Sequence, residues 1–125
     1  MPRPLARVWR IDGDPSRLQQ AFANLLVNSV KFTPAGGCVR VSVEQDGSHL
    51  KIAFRDTGIG IASEHLPKTF EPLWQADGAL RNASSGLGLG LSIVRHIVQL
   101  HGGDVVVHSD GLGQGTAVTV RLPLI

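Results

Sequence analysis

Apolar and polar positions alternate along this chain in a few distinct rhythms. Leu18, Phe22, Leu25, Leu26 and Val30 recur at three- and four-residue spacing, the repeat of an amphipathic helix. Asp14-Pro15 opens that segment, aspartate being a good N-cap and proline being tolerated at the first helical position. Pro34 and Gly36-Gly37 follow it, so the helix is predicted to end at about Phe32. Val39, Val41 and Val43, then Leu50, Ile52 and Phe54, alternate with polar residues on either side of Asp46-Gly47. This predicts two half-buried, neighbouring antiparallel strands joined by a tight turn. Residues 90–100 read as a second amphipathic helix closed by Gly102-Gly103. Residues 105–107 and 118–122 read as the last two strands, with Gly111, Gly113 and Gly115 between them. Residues 8–11 read as a short strand and residues 63–69 as a short helix. Residues 75–85 are rich in Ala, Gly, Asn, Asp and Ser and have little to bury, so a mobile loop is expected there. The sum predicts a single α+β domain over residues 1–125, a two-layer α/β sandwich whose mixed sheet carries helices on one face.

Composition narrows the classes. A chain of 125 residues suits one domain, and 42% hydrophobic residues support a core and exclude disorder. Twelve Lys and Arg against ten Asp and Glu leave a net charge of +2 with no dense basic run, which argues against a nucleic-acid partner. Cys38 is the only cysteine, so no internal disulfide can form and a reducing, cytoplasmic setting is the simplest expectation. No apolar run approaches the roughly 18 residues of a membrane span, and no signal peptide is visible. An anchor of any membrane-bound parent would lie outside this chain.

Three groups of residues carry candidate chemistry. Asn24, Asn28 and Lys31 stand at i, i+4 and i+7 of the first helix, within a stripe of about 60°. Amide oxygen is a hard ligand for magnesium, and lysine supplies charge to a phosphate. Read alone, the stripe equally describes a solvated helix face. Asp56-Thr57-Gly58-Ile59-Gly60 follows directly on a strand. A carboxylate there can accept a hydrogen bond from an amino group on a flat ring, and glycines allow close backbone approach. An ordinary turn has the same composition. Gly86-Leu87-Gly88-Leu89-Gly90-Leu91 lies where the loose segment becomes the second helix, a place where exposed N–H groups favour anions. It is neither the Walker pattern nor the dinucleotide fingerprint.

The order of these groups resembles a known family. Residues 24–34, Asn-Leu-Leu-Val-Asn-Ser-Val-Lys-Phe-Thr-Pro, resemble the N box of sensor histidine kinases. Residues 56–60 resemble their first glycine box, Phe70-Glu71-Pro72-Leu73 their F box, and residues 86–91 their second glycine box. His101-Gly102-Gly103 and the closing run from Gly115-Thr116 to Pro123 also match. The resemblance covers residues 12–123. It implies the Bergerat ATP-binding sandwich, with ATP and Mg2+ as ligands. It also implies that Asn28 coordinates the metal, with Asn24 beside it and Lys31 near the phosphates. Asp56 would bind the adenine amino group, in a pocket shaped by Gly58 and Gly60. Gly86, Leu87, Gly88, Leu89 and Gly90 would form the lid box over the triphosphate, with Phe70 anchoring the lid base. Two positions depart from the family pattern. Leu87 stands where threonine is frequent, and Leu73 stands where a second aromatic is usual, although Trp74 follows it. Trp74 and Trp9 are expected to pack rather than touch ligand.

Relatives with this fold that hydrolyse ATP, or phosphorylate serine, resemble one another in a glutamate four residues before the magnesium asparagine. This sequence has Asn24 there, and an amide cannot act as a base. A neutral imidazole is already nucleophilic, so Asn24 favours transfer to histidine over an ATPase. None of His49, His65, His96, His101 and His108 has a Ser-His-Glu context. His96 and His101 are expected to be surface or capping groups. The acceptor is therefore expected on a separate dimerisation domain, with a response regulator receiver domain downstream, and the chain is expected to be a piece of a longer kinase. The alternative from another class is an ATP-binding regulatory module without phosphotransfer.

Overall fold

The computed structural model describes residues 8–70 and 87–125. Helix α1 spans Pro15–Lys31. Asp14 caps it in an extended conformation, and its Oδ1 accepts from the Ser16 and Arg17 N–H groups at 3.0 and 3.3 Å. That satisfies two of the donors a helix start leaves unpaired. Strands β1 (Val39–Asp46) and β2 (His49–Asp56) form the expected hairpin around Gly47-Ser48. A short 3-10 helix covers Ser63–Lys68. Helix α2 spans Leu87–Leu100, starting three residues before the expected Gly90. Glycine weakens a helix but can adopt its dihedrals, so Gly88 and Gly90 do not delay the start. Strands β3 (Asp104–His108) and β4 (Thr116–Pro123) complete the sheet. The expected mobile loop over residues 75–85 lies outside the described residues, as do Trp74, Glu71, Pro72 and Leu73 of the F box.

The strand order is β1-β2-β4-β3, and every pairing is antiparallel. This corrects the expected mixed sheet. The connection through α2 does set β2 and β3 parallel to each other, but β4 fills the gap between them and runs against both. The expected strand at residues 8–11 is also absent. That segment makes isolated contacts: the Ile125 N–H donates to Arg10 O at 2.9 Å and Trp9 Nε1 donates to Gln45 Oε1 at 3.3 Å. Single bonds of this kind build no ladder.

Both helices lie on the sheet face that carries Leu50, Ile52, Phe54, Val118, Val120 and Leu122. Val94, Val98, Val120 and Leu122 are fully buried, each removal from water stabilising by roughly 1.5–3 kcal/mol. Phe22 stacks on Phe54 with ring centroids 6.3 Å apart. On α1 the buried residues are Ala21, Leu25 and Ser29, whereas Leu26 and Val30 are 43% and 60% exposed. Leu26 and Val30 therefore lie off the core face to which the sequence rhythm assigned them. Strand β1 is exposed along almost its whole length, with Val41 and Val43 on the helix-side face but beyond the reach of α1. No described helix is long and apolar enough to cross a membrane.

Candidate functional site

A cleft opens between α1, α2 and the end of the sheet, with about 520 Å³ of unfilled space. Leu25, Phe32, Ile59, Ile61, Leu91 and Val118 give it apolar walls, and Asn28 and Asp56 give it polar groups. A slot of this composition suits a flat, partly polar ring.

Asp56 ends β2, directly opposite Thr116 of β4. Its Oδ1 accepts the Gly58 N–H at 2.9 Å and the Thr116 N–H at 3.2 Å, and its Oδ2 has no donor among the described residues. Burial raises the carboxyl above its ordinary value, and the hydrogen bonds from Gly58 and Thr116 pull the other way. Burial wins because the carboxylate stands at a largely apolar wall.

The loop after Asp56 is held on three sides. The Ile59 N–H donates to Phe32 O at the end of α1, and the Thr57 N–H donates to Cys38 O at the start of β1, at 3.1 and 3.0 Å. The third side is the β3–β4 loop, from which the Gly113 N–H donates to Ile59 O at 2.8 Å. The buried Ser109 hydroxyl ties this side together: it accepts from the Ile61 N–H at 3.0 Å and donates to Gly115 O at 2.7 Å. Two glycines are required here. A Cβ on Gly60 would stand 2.1 Å from Gly111 O, and one on Gly115 would stand 2.1 Å from Asp56 O, and both residues have φ above +70°.

Asn28 lines the cleft from α1, and its Nδ2 is buried with no hydrogen-bond partner. An orphaned buried amide costs stability unless a ligand completes it. Either end of the amide has a use, the oxygen toward a metal and the N–H toward a phosphate oxygen. Among the described residues no cluster of three or more His, Cys, Asp and Glu gathers as a metal site. A cation here would draw on Asn28 and on substrate phosphates, which fits magnesium.

The cleft thus brings together Asn28, Asp56 and Gly60. Asn24 is half-buried one turn earlier on α1, outside the lining. Lys31 borders a separate apolar hollow with Leu26, Val27 and Val30. Gly58 acts through its N–H on Asp56 and through close packing under Phe32 O. Phe70 packs at the core margin with the Arg95 guanidinium 4.8 Å above its ring. Leu87, Gly88, Leu89 and Gly90 form the first turn of α2, and Gly86 lies outside the described residues. Sequence reasoning missed Ser109 and the role of Thr116. A serine in a turn is commonplace, and Thr116 acts through its backbone, which no side-chain pattern reveals.

Residues 13–125 match the family described as Histidine kinase-, DNA gyrase B-, and HSP90-like ATPase. The chain is 47% identical to histidine protein kinase DivJ of Caulobacter vibrioides over 115 residues, 92% of this chain and 19% of DivJ. It is 41% identical to sensor histidine kinase RcsC of Escherichia coli over 114 residues, 91% of this chain and 12% of RcsC. The chain therefore spans under a fifth of the length of either curated relative. The solved structure of the mycobacterial sensor histidine kinase MprB matches with a TM-score of 0.82 at 34% identity, covering 93% of this chain and 78% of that one. The antiparallel sheet, the cleft under two helices and these matches together place the chain in the histidine kinase-, DNA gyrase B- and HSP90-like ATPase family, as a catalytic ATP-binding domain of the sensor histidine kinase type.

Proposed function

We propose that this domain binds Mg-ATP in the cleft and passes the γ-phosphate to a histidine on a separate dimerisation domain of its parent kinase. A response regulator receiver domain would take the phosphate next. The observation that carries the reading is Asp56, a half-buried carboxylate with one oxygen fixed by two backbone N–H groups and the other without a donor. An adenine amino group supplies the missing donor, and Ile59, Ile61 and Leu91 supply apolar contact for its ring. Asn28 is the residue that would hold magnesium, and its orphaned amide supports that role. Magnesium, when bound, offsets charge on the phosphate oxygens during transfer. Gly86, Gly88 and Gly90 would close over the triphosphate, with Leu87 and Leu89 carried between them. Lys31 would add positive charge at the phosphate end, and Phe70 would brace the lid. Asn24 supports transfer to histidine, since an amide at that position removes no proton from water or a hydroxyl.

The test is base discrimination. The domain should bind ADP at least about tenfold more tightly than IDP, whose ring lacks the amino group Asp56 would accept from. Equal affinities by calorimetry would remove Asp56 from adenine recognition.

A further inference from the structure

Strand β1 is an edge of the sheet: among the described residues, β2 is its only strand neighbour. Asp46 and His49 close the two-residue turn, so the even-numbered residues of β1 exchange hydrogen bonds with β2. The N–H and C=O groups of Val41 and Val43 therefore point to the open edge, and no backbone bond meets them there among the described residues. Native edges are commonly blunted by a proline, a bulge or an inward-facing charge. β1 has none of these. Its register with β2 is unbroken, and its helix-side positions are Val39, Val41, Val43 and Gln45. Val41 and Val43 are exposed on that side. Phe22 stacks on Phe54, which stands opposite Val41. Leu26 and Val30 follow Phe22 at one-turn steps and are exposed as well, so they extend an apolar strip on the β1 side of α1.

The outer face of β1 carries Arg40, Ser42 and Glu44. Arg40 stands opposite Arg55, a like-charge pair that costs stability. Neither arginine has a carboxylate within ion-pair distance among the described residues. We propose that this edge pairs with the same edge of a second copy of the chain, antiparallel about a two-fold axis through Ser42. In that register Arg40 faces Glu44 of the second copy, and Val41 faces Val43 of the second copy, each twice by symmetry. The valines form the hydrogen-bonded pairs, as their outward N–H and C=O groups require, and Arg40 gains the carboxylate it lacks. Other registers fit less well. An axis at Arg40 or Glu44 sets like charges face to face, and one at Val41 leaves Arg40 opposite serine. An axis at Val43 draws on Asp46, which already meets Arg121 at 3.4 Å. The pairing continues two four-stranded sheets into one, with all helices on one face and the two clefts at opposite ends.

The experiment is analytical ultracentrifugation of the 125-residue chain from micromolar to millimolar concentration, with amide hydrogen exchange read at both extremes. The parent should show a monomer–dimer equilibrium, with the Val41 and Val43 amides protected only where the dimer is populated. Arg40→Glu and Glu44→Arg each set like charges against each other twice, and each should weaken association about tenfold or more. Both positions are exposed, so the monomer keeps its fold. An equimolar mixture of the two variants restores opposite charges at both pairs and should dimerise as the parent does. The proposal is overturned if the parent stays monomeric over this range, if either variant alone associates as the parent does, or if the mixture does not associate. Protection of the Val41 and Val43 amides in the monomer would also overturn it, by giving the edge to another part of the chain.

Discussion

At the scale of single residues, Asp56 is held between opposed forces. Burial disfavours its charge, while the Gly58 and Thr116 N–H groups favour it, and the net effect raises its pKa above the ordinary 3.8. The folded domain therefore holds this proton more tightly than the unfolded chain. Asp56 favours folding at low pH, and that contribution is lost as pH rises from the ordinary value through the folded one. On the proposed adenine role, nucleotide binding should respond in the opposite sense, because accepting an adenine N–H needs the carboxylate. ADP affinity should fall as pH drops through the raised pKa. Asp56→Asn should weaken ADP by about ten- to a hundredfold at neutral pH, the loss of one charge-assisted bond of roughly 1.5–3 kcal/mol, and should flatten the pH dependence. Calorimetry across the acid range checks both, and an unchanged affinity would contradict the assignment. Asn28 is expected to act later in the reaction. Asn28→Ala should leave ADP affinity within a fewfold but slow phosphotransfer about tenfold or more, because metal positioning matters most at the transition state. A normal transfer rate would take Asn28 out of the site.

At the scale of elements, one side chain joins the two helices that frame the cleft. His101, just past α2, accepts the Asp14 N–H on Nε2 at 2.9 Å and meets Ile97 O through Nδ1 at 2.8 Å. Those two bonds require a neutral ring with its hydrogen on Nδ1, and they bear out the expected capping role. His101→Ala should lower stability by about 1 kcal/mol, read as a lower urea midpoint with unchanged slope. His101→Lys, which offers donors only, should not restore it. An unchanged midpoint in His101→Ala would show that the joint contributes nothing. The helices and the β1–β2 hairpin were legible because caps, turn residues and period act locally, as Asp14, Pro15 and Gly47 do here. The sheet order was not, because β4 enters between β2 and β3 from the far end of the chain. Nor was the burial of α1, since Leu26 and Leu25 are equally apolar and only the position of α2 decides which is covered. Val8 and Trp9 are strand-like residues, but the contacts of their segment do not extend into a strand ladder. The candidate site was legible in part. Asp56 and Asn28 were candidates by type and spacing, and only the order of the motifs, through the family resemblance, set them apart from an ordinary turn and a solvated helix face. Ser109 and the Thr116 N–H, by contrast, act through loop geometry that no pattern encodes.

At the scale of the whole molecule, the proposed reaction divides between two bodies. The five histidines lie in contexts unlike a phosphoacceptor, and His101 is occupied in the helix joint. Positioning supplies much of the barrier lowering in phosphoryl transfer, so an acceptor that is not docked gains little. The lone chain should neither phosphorylate itself nor release phosphate quickly, since Asn24 offers no base. Supplying the dimerisation domain in trans should restore transfer partly, limited by the loss of effective concentration that a covalent link provides. The direct measurement is incubation with γ-labelled ATP and magnesium, with and without that domain, scored for acid-labile phosphoprotein and for free phosphate. The account predicts label on the added domain alone, with little on this chain and slow release of phosphate. Rapid labelling of this chain on one of its own histidines, or rapid release of free phosphate, would contradict it.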